Sequence, residues 1–272
     1  MKQYQQYRFT ITDQQQAGLI IALLSAHDFT GMEEQPGWLD VFFNEDPAND
    51  QLVAGIAATA ETVFTKNMLD DQNWNQLWES NFDPVLVDDF VSIRASFHEP
   101  AKGVEHEIVV TPKMSFGTGH HATTWSMVSQ MRQVSFNGKS VFDFGTGTGI
   151  LAILAEKLGA VSVLAIDNDP WSIENAKENA VNNNCSRITL IQADDASGEA
   201  IFDVILANIN RNVLLDNMHT LRARLAIGGT LLMSGLLPED EAVIVESATA
   251  VGFKAIGKVI RSNWLCLKFS DL

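Results

Sequence analysis

Residues 141–160 read VFDFGTGTGILAILAEKLGA: a short apolar run, glycines at alternate positions, then a second run of small and branched apolar residues. The first run has the length of a buried strand and the second that of a helix, so the glycines form a tight strand-to-helix turn. In a parallel sheet such a turn lies beyond the C-terminal ends of the strands, where ligands bind. Gly145, Gly147 and Gly149 carry no Cβ. Backbone N–H groups can therefore approach a ligand closely, and the helix starting near Ile150 can pack tightly on the sheet.

Outward from the turn, the pattern beyond about residue 100 alternates. Apolar strand candidates at 140–145, 162–167, 188–194, 202–208 and 229–234 are separated mostly by helices at 150–158, 170–182 and 212–226. This predicts a mostly parallel sheet with helices on both faces. A helix at 238–250 follows, then strands at 253–261 and 264–269 separated only by Ser262 and Asn263. So short a gap permits a hairpin and forbids a crossover, so the last two strands are antiparallel at a sheet edge. The expected class is α/β, a doubly wound seven-stranded sheet with one reversed strand.

The beginning of the chain reads differently. Strand, helix, strand, strand and helix at 4–12, 14–26, 28–33, 37–44 and 47–58, with a last strand at 63–66, give the order of a small α+β ferredoxin-like domain. Between the two patterns, Trp74, Trp78 and Phe82 recur every fourth residue and put an aromatic stripe on one helical face. Such a stripe docks a connector on a domain. The expected division is 1–67, a connector at 68–100, and 101–272.

Hydrophobic residues make up 46% and charged ones 19% of the 272, the balance of a folded globular protein. No apolar stretch approaches the roughly 20 residues needed to cross a bilayer. The opening MKQYQQYRFTITDQQQ lacks the basic-then-apolar order of a secretory signal, so a cytoplasmic setting with no membrane partner is expected. Cys185 and Cys266 fall in no CxxC or metal-like spacing and read as two free thiols in a reducing compartment. The net charge of −16 is uneven: residues 1–100 carry 16 acids against 4 bases, and the remainder 18 against 14. An acidic first third opposes non-specific nucleic-acid binding through that part and favours a basic protein partner.

The ligand of the glycine turn narrows by elimination. A phosphate-gripping loop would end Gly-Lys-Ser/Thr, whereas Ile150 and Leu151 follow Gly149. A dinucleotide fingerprint is G-x-G-x-x-G, and here Ile150 stands where its third glycine would fall. Asp167 ends the second strand 22 residues beyond Gly145, where a carboxylate can accept hydrogen bonds from both hydroxyls of a ribose. A bare loop against a small zwitterion and an acid on a ribose describe S-adenosylmethionine. NAD shares the turn and the acid and stands as the alternative.

With these features the chain resembles the seven-stranded S-adenosylmethionine-dependent methyltransferases. TPKMSFGTGHHATT at 111–124 is similar to the P-G-M-A-F-G-T-G-x-H-x-T-T signature of the bacterial methyltransferases of large-subunit ribosomal protein L11. The W-x3-W-x3-F-x-P pattern at 74–84, the glycine turn, IDNDP at 166–170 and ANIN at 207–210 follow in family-like order. The family combines a ferredoxin-like substrate-recognition domain, a linker and a C-terminal methyltransferase domain, which agrees with the division above. The sequence departs from the signature at Lys113, usually glycine, Ser115, usually alanine, and Ala122, usually proline or an acid.

The resemblance implies S-adenosylmethionine as methyl donor and amino groups of L11, lysine side chains or the N-terminal amine, as acceptors. It assigns Thr124, Gly145, Gly147, Asp167 and Asn208 to cofactor binding, with Asn208 also the catalytic residue. Thr124 would open a helix whose hydroxyl and free N–H groups meet a carboxylate, and 116–119 would close as a lid. The amide oxygen of Asn208 can orient an incoming amine but cannot take its proton; desolvation lowers the amine pKa and the proton leaves to water. His120 and His121 are the alternatives for a general base. As neighbours with no Cys or acid cluster they form no metal site. Rival readings are a methyltransferase acting on RNA or another protein, since ANIN resembles the N-P-P-Y motif of amino methyltransferases, an NAD-dependent oxidoreductase, and a degenerate domain serving as a scaffold.

Overall fold

The structure, a computed structural model, describes residues 4–24, 27, 29–35, 37–69, 83–112 and 121–271. The chain divides between Phe82 and Asp83 into two units. In the first, β1 (Tyr4–Thr10), α1 (Gln14–Leu24), β2 (Gly31–Gln35), β3 (Trp38–Asn44), α2 (Ala48–Thr59) and β4 (Phe64–Leu69) follow in the expected order. The strands form an antiparallel sheet in the order β2-β3-β1-β4. Alternation puts Tyr7, Phe9, Leu39, Val41 and Phe43 on one face, packed with Ile20, Leu24, Val53 and Ile56 of the helices. On the other face Asp40, 1% exposed, accepts two bonds from Arg8 at 2.8 and 2.7 Å and one from Gln6 at 2.6 Å. The Arg8 guanidinium lies 4.1 Å from the centre of the Trp38 ring.

The second unit opens with two strands that the sequence reading placed in a connector, and a third lies beyond it. β5 (Val85–Val87), β6 (Val91–Ala95) and β7 (His106–Val110) form a three-stranded sheet, antiparallel then parallel. The boundary drawn at residue 101 therefore moves to 83. All five residues of β6 are buried, yet Ser92 and Arg94 interrupt its apolar run. Arg94 is accommodated because Glu107 of β7 accepts two bonds from it at 2.8 Å each, a partner no local pattern reveals. Trp74, Trp78 and Phe82 lie outside the described residues.

The remainder runs α3 (Ala122–Met131), β8 (Ser140–Phe144), α4 (Ile150–Lys157), β9 (Ser162–Asp167), α5 (Pro170–Asn182), β10 (Ile188–Gln192), β11 (Phe202–Asn208), α6 (Arg211–Arg224), β12 (Leu225–Leu236), α7 (Glu241–Ala250), β13 (Phe253–Arg261) and β14 (Trp264–Asp271). Seven strands pair in the order β10-β9-β8-β11-β12-β14-β13. The hairpin is present: Ser262 and Asn263 adopt φ of 46° and 61°, the pair of positive values that a tight two-residue turn demands. Its last strand, however, inserts between β12 and β13 and is antiparallel to both, so β13 forms the edge.

One face of this sheet, with Phe142, Phe144, Ala207, Met233 and Phe269, packs on Leu214, Met218 and Leu221 of α6 and Ile244 of α7. Helix α3 covers the other, where the Met127 sulfur lies 3.7 Å from that of Cys266. Register places Asp143, Leu206 and Asn208 on this α3 face. The chain leaves β8 toward β9 and later returns to its other side with β11. A crevice opens at such a switch point, beyond the C-terminal ends of β8 and β11. No helix of the described residues is long and apolar enough to cross a membrane.

Candidate active site

At this switch point a cleft of about 500 Å³ is lined by Gly145 and Gly147 of the turn, Asp167 at the end of β9, Asp169 and Ser172 at the start of α5, Ala193 and Asp194 after β10, and Asn208, Ile209, Asn210 and Val213. Four of the five residues expected to hold a cofactor thus meet in one place, and each is shaped by local chemistry. Gly145 has φ of 76°, and a Cβ there would lie 2.1 Å from Cγ2 of Ile209. No other residue fits without moving Ile209 and its neighbour Asn208. The Gly147 N–H donates to Oδ2 of Asp167 at 2.8 Å, and the Asp169 N–H to Oδ1 at 3.0 Å. Both oxygens are held in place while keeping lone pairs for a further donor.

Asn208 contributes an unmet acceptor. Its Oδ1 is buried and has no hydrogen-bond partner among the described residues. Leaving such a group unpaired costs about 1–3 kcal/mol, which a donor on a bound molecule would recover. Thr124, the fifth expected residue, does not line the cleft. It sits in the first turn of α3, on the sheet face of Asn208, 2% exposed and with its Oγ1 likewise unpartnered among the described residues. The expected lid at 116–119 and His120 lie outside the described residues. His121 is the N-cap of α3: its Nδ1 accepts the Thr123 N–H at 3.3 Å and lies 2.7 Å from Thr123 Oγ1, and its ring meets Trp264 edge-on at 4.5 Å. Among the described residues no cluster of His, Cys, Asp and Glu could hold a metal ion.

Sequence reasoning missed several residues of the wall. Asp169 caps α5, accepting the Trp171 and Ser172 N–H groups at 3.2 and 3.0 Å and the Ser172 hydroxyl at 2.8 Å. The Ser172 bonds hold its carboxyl below the usual range, against the weaker effect of desolvation. Asn210 caps α6 through the Val213 N–H at 3.2 Å. Two helix N-termini therefore face the cleft; the Asp-Pro pair at 169–170 and the Asn at 210 were readable capping signals. Asp143 was missed as well. It is fully buried at the end of β8, accepts the Thr146 hydroxyl at 2.6 Å, and leaves Oδ1 unpartnered among the described residues. Burial pushes its carboxyl up to about 7 against the bond from Thr146, with the charge of Asp167 adding to the rise.

The charge of the cleft discriminates between ligands. Among the described residues its lining carries three carboxylates, Asp167, Asp169 and Asp194, and no Lys, Arg or His. A dinucleotide would bring a doubly charged pyrophosphate against these acids, whereas an amino-acid sulfonium brings positive charge.

The comparisons agree with this geometry. Residues 10–271 match the family model described as ribosomal protein L11 methyltransferase. The ribosomal protein L11 methyltransferase of Porphyromonas gingivalis is 40% identical over 264 residues, covering 93% of this chain and 90% of the relative. That of Phocaeicola vulgatus is 36% identical over 260 residues, with 92% of each covered. The crystal structure of a ribosomal protein L11 methylase from Lactobacillus delbrueckii subsp. bulgaricus superposes with a TM-score of 0.65 at 30% identity, covering 70% of this chain and 99% of that one. On the match that spans nearly all of its length, the chain belongs to the ribosomal protein L11 methyltransferase family.

Proposed function

We propose that this protein transfers methyl groups from S-adenosylmethionine to amino groups of ribosomal protein L11, lysine side chains or the N-terminal amine, in the cytoplasm and without direct contact to nucleic acid or membrane. The observation that carries the reading is the cleft itself: a bare turn, a backbone-held Asp167 and, among the described residues, an Asn208 amide oxygen without a partner and no basic side chain in the lining. These features fit a cationic nucleoside. Asp167 would hold the ribose hydroxyls, Gly145 and Gly147 would let the methionine part approach the backbone, and the Thr124 hydroxyl would find a partner in its polar end.

The donor, when bound, supplies an activated methyl group on a positively charged sulfur. The protein's work is then positioning and deprotonation. A free lysine amine has a pKa near 10.4 and must lose a proton to attack. Asn208 Oδ1 accepts one N–H of the amine and thereby aims its lone pair, and it has no capacity to take the proton. Desolvation of the amine in the site would lower its pKa, and the proton passes to solvent. His121 is a poor alternative base, because Nδ1 already caps α3.

The first unit serves as the recognition module. Its excess of acids suits a basic ribosomal protein better than RNA. Incubating the enzyme with methyl-labelled S-adenosylmethionine, purified L11 and ribosomal RNA tests the assignment: label in L11 is expected, and label confined to RNA overturns it.

A further inference from the structure

Below the β10 side of the cleft, the loop that follows the strand is held by helix α6. Arg224, 3% exposed, donates from Nη1 to the carbonyls of Ala196 at 2.8 Å and Ser197 at 3.1 Å, and from Nε to that of Ala200 at 3.1 Å. Its guanidinium stacks 4.3 Å from the centre of the Phe142 ring and 5.0 Å from that of Phe202. Burial lowers its pKa, and among the described residues no carboxylate offsets the effect. Two turns earlier, Oδ1 of Asn217 accepts the Ala196 N–H at 3.0 Å and its Nδ2 donates to Val213 O at 2.9 Å. Ala196 is thus fixed at both its N–H and its carbonyl. Gly198, at φ of 140°, lies so close that a Cβ would stand 3.2 Å from Cζ of Arg224.

A buried guanidinium with no carboxylate partner among the described residues is a costly way to satisfy three carbonyls that water could serve at a surface. What it secures is the geometry of the loop. That loop opens with Ala193 and Asp194, which line the cleft, while Asn210 and Val213 at the start of α6 line it from the other side. One helix therefore ties both walls together. The strand order β11, β8, β9, β10 sets Asn208, the glycine turn, Asp167 and Asp194 in a row. On the function proposed above, with the amino-acid end of the donor at the turn and the ribose at Asp167, the base falls at the Ala193–Asp194 wall.

We infer that Arg224, assisted by Asn217, is a positioning residue: without touching the cofactor it sets the Ala193–Asp194 wall and so the grip on the adenine end of S-adenosylmethionine. Two variants of the full chain test this. Arg224→Lys keeps the charge but loses the planar fork that reaches several carbonyls. Gly198→Ala keeps every donor and pushes the loop off the guanidinium. The readouts are Tm, the Kd for S-adenosylhomocysteine by calorimetry, and kcat with KM for both substrates.

Both variants are expected to weaken S-adenosylhomocysteine binding and raise KM for S-adenosylmethionine roughly tenfold, with kcat and KM for L11 within about twofold of the parent. A residue that served stability alone would lower Tm and the active fraction, and with it kcat, leaving the Kd of the folded protein unmoved. A Kd within about twofold of the parent in a folded variant overturns the inference. Should Arg224→Lys fail to fold, Gly198→Ala carries the test. Failure of the parent to bind S-adenosylhomocysteine overturns the proposed function and this inference with it; a parent that binds and variants that bind equally well overturn the inference alone.

Discussion

Replacing Gly145 by alanine puts two separable strains into the site. The first is backbone: φ is 76°, a region that costs an L-residue roughly 1–2 kcal/mol. The second is steric: the new Cβ would lie 2.1 Å from Ile209 Cγ2, and displacing a packed side chain costs about 1–3 kcal/mol. Ile209 has little room to yield, since its own carbonyl sits 2.3 Å from where a Cβ on Gly235 would be. A loss near 3 kcal/mol in a unit running from Asp83 to Leu272 corresponds to a fall in Tm of roughly 6–12 °C. Because Asn208 precedes Ile209 in the chain, a shift of about 1 Å there should lower kcat roughly a hundredfold. Differential scanning calorimetry on Gly145→Ala, Ile209→Ala and the double variant separates the strains. In the Ile209→Ala background the steric part disappears and only about 1–2 kcal/mol should remain. A single variant within about 0.5 kcal/mol of the parent, or equal losses in both backgrounds, would refute this reasoning.

Three further outcomes follow from the site and the fold. The Asp143 carboxyl sits at about 7, above the roughly 3.9 of an unfolded chain, so between these values the folded protein holds a proton the unfolded chain has released. Its contribution to stability therefore falls as pH rises from about 4 to 7, and Asp143→Asn, which keeps an acceptor for Thr146, should remove a loss on the order of 4 kcal/mol; urea titrations at pH 4 to 8 giving parallel curves would contradict this. Thr124→Val deletes a buried hydroxyl that has no partner among the described residues, so Tm should hold or rise while the affinity for S-adenosylmethionine drops about tenfold, and unchanged affinity would remove Thr124 from the binding set. A fragment beginning at Asp83 should fold and bind S-adenosylmethionine yet leave L11 unmethylated, whereas one beginning at 101 loses β5 and β6, with buried Val91, Ile93 and Ala95, and should lack a cooperative thermal transition.

The parts of the molecule written in local chemistry were readable in advance. Glycine at 145, 147 and 149, the acid ending β9 and the Asn ending β11 each announce a strand end beside a turn, and these strands flank the switch point, β8 and β9 on one side and β11 on the other. The hairpin was readable from the gap of only two residues, Ser262 and Asn263, but the insertion of β14 between β12 and β13 was not, because strand order depends on which faces α3 and α7 cover. β6 escaped notice because Arg94 is tolerable in a buried strand only with Glu107 opposite. Asp143 and Asp194 escaped for a related reason: one acts from beneath the turn and the other from the end of β10, and neither has a neighbour in sequence that marks it. Thr124 was singled out by its motif alone; its unpartnered hydroxyl on the Asn208 face of the sheet is what gives that choice physical content.

The most direct test is a calorimetric titration of the full chain with S-adenosylmethionine and, separately, with NAD, repeated on Asp167→Ala. A cleft whose described lining has three carboxylates and no basic side chain should give saturable one-to-one heat with the sulfonium compound and none with the dinucleotide, and losing Asp167 should weaken the former at least roughly tenfold. Saturation by NAD with no heat from S-adenosylmethionine would contradict the account.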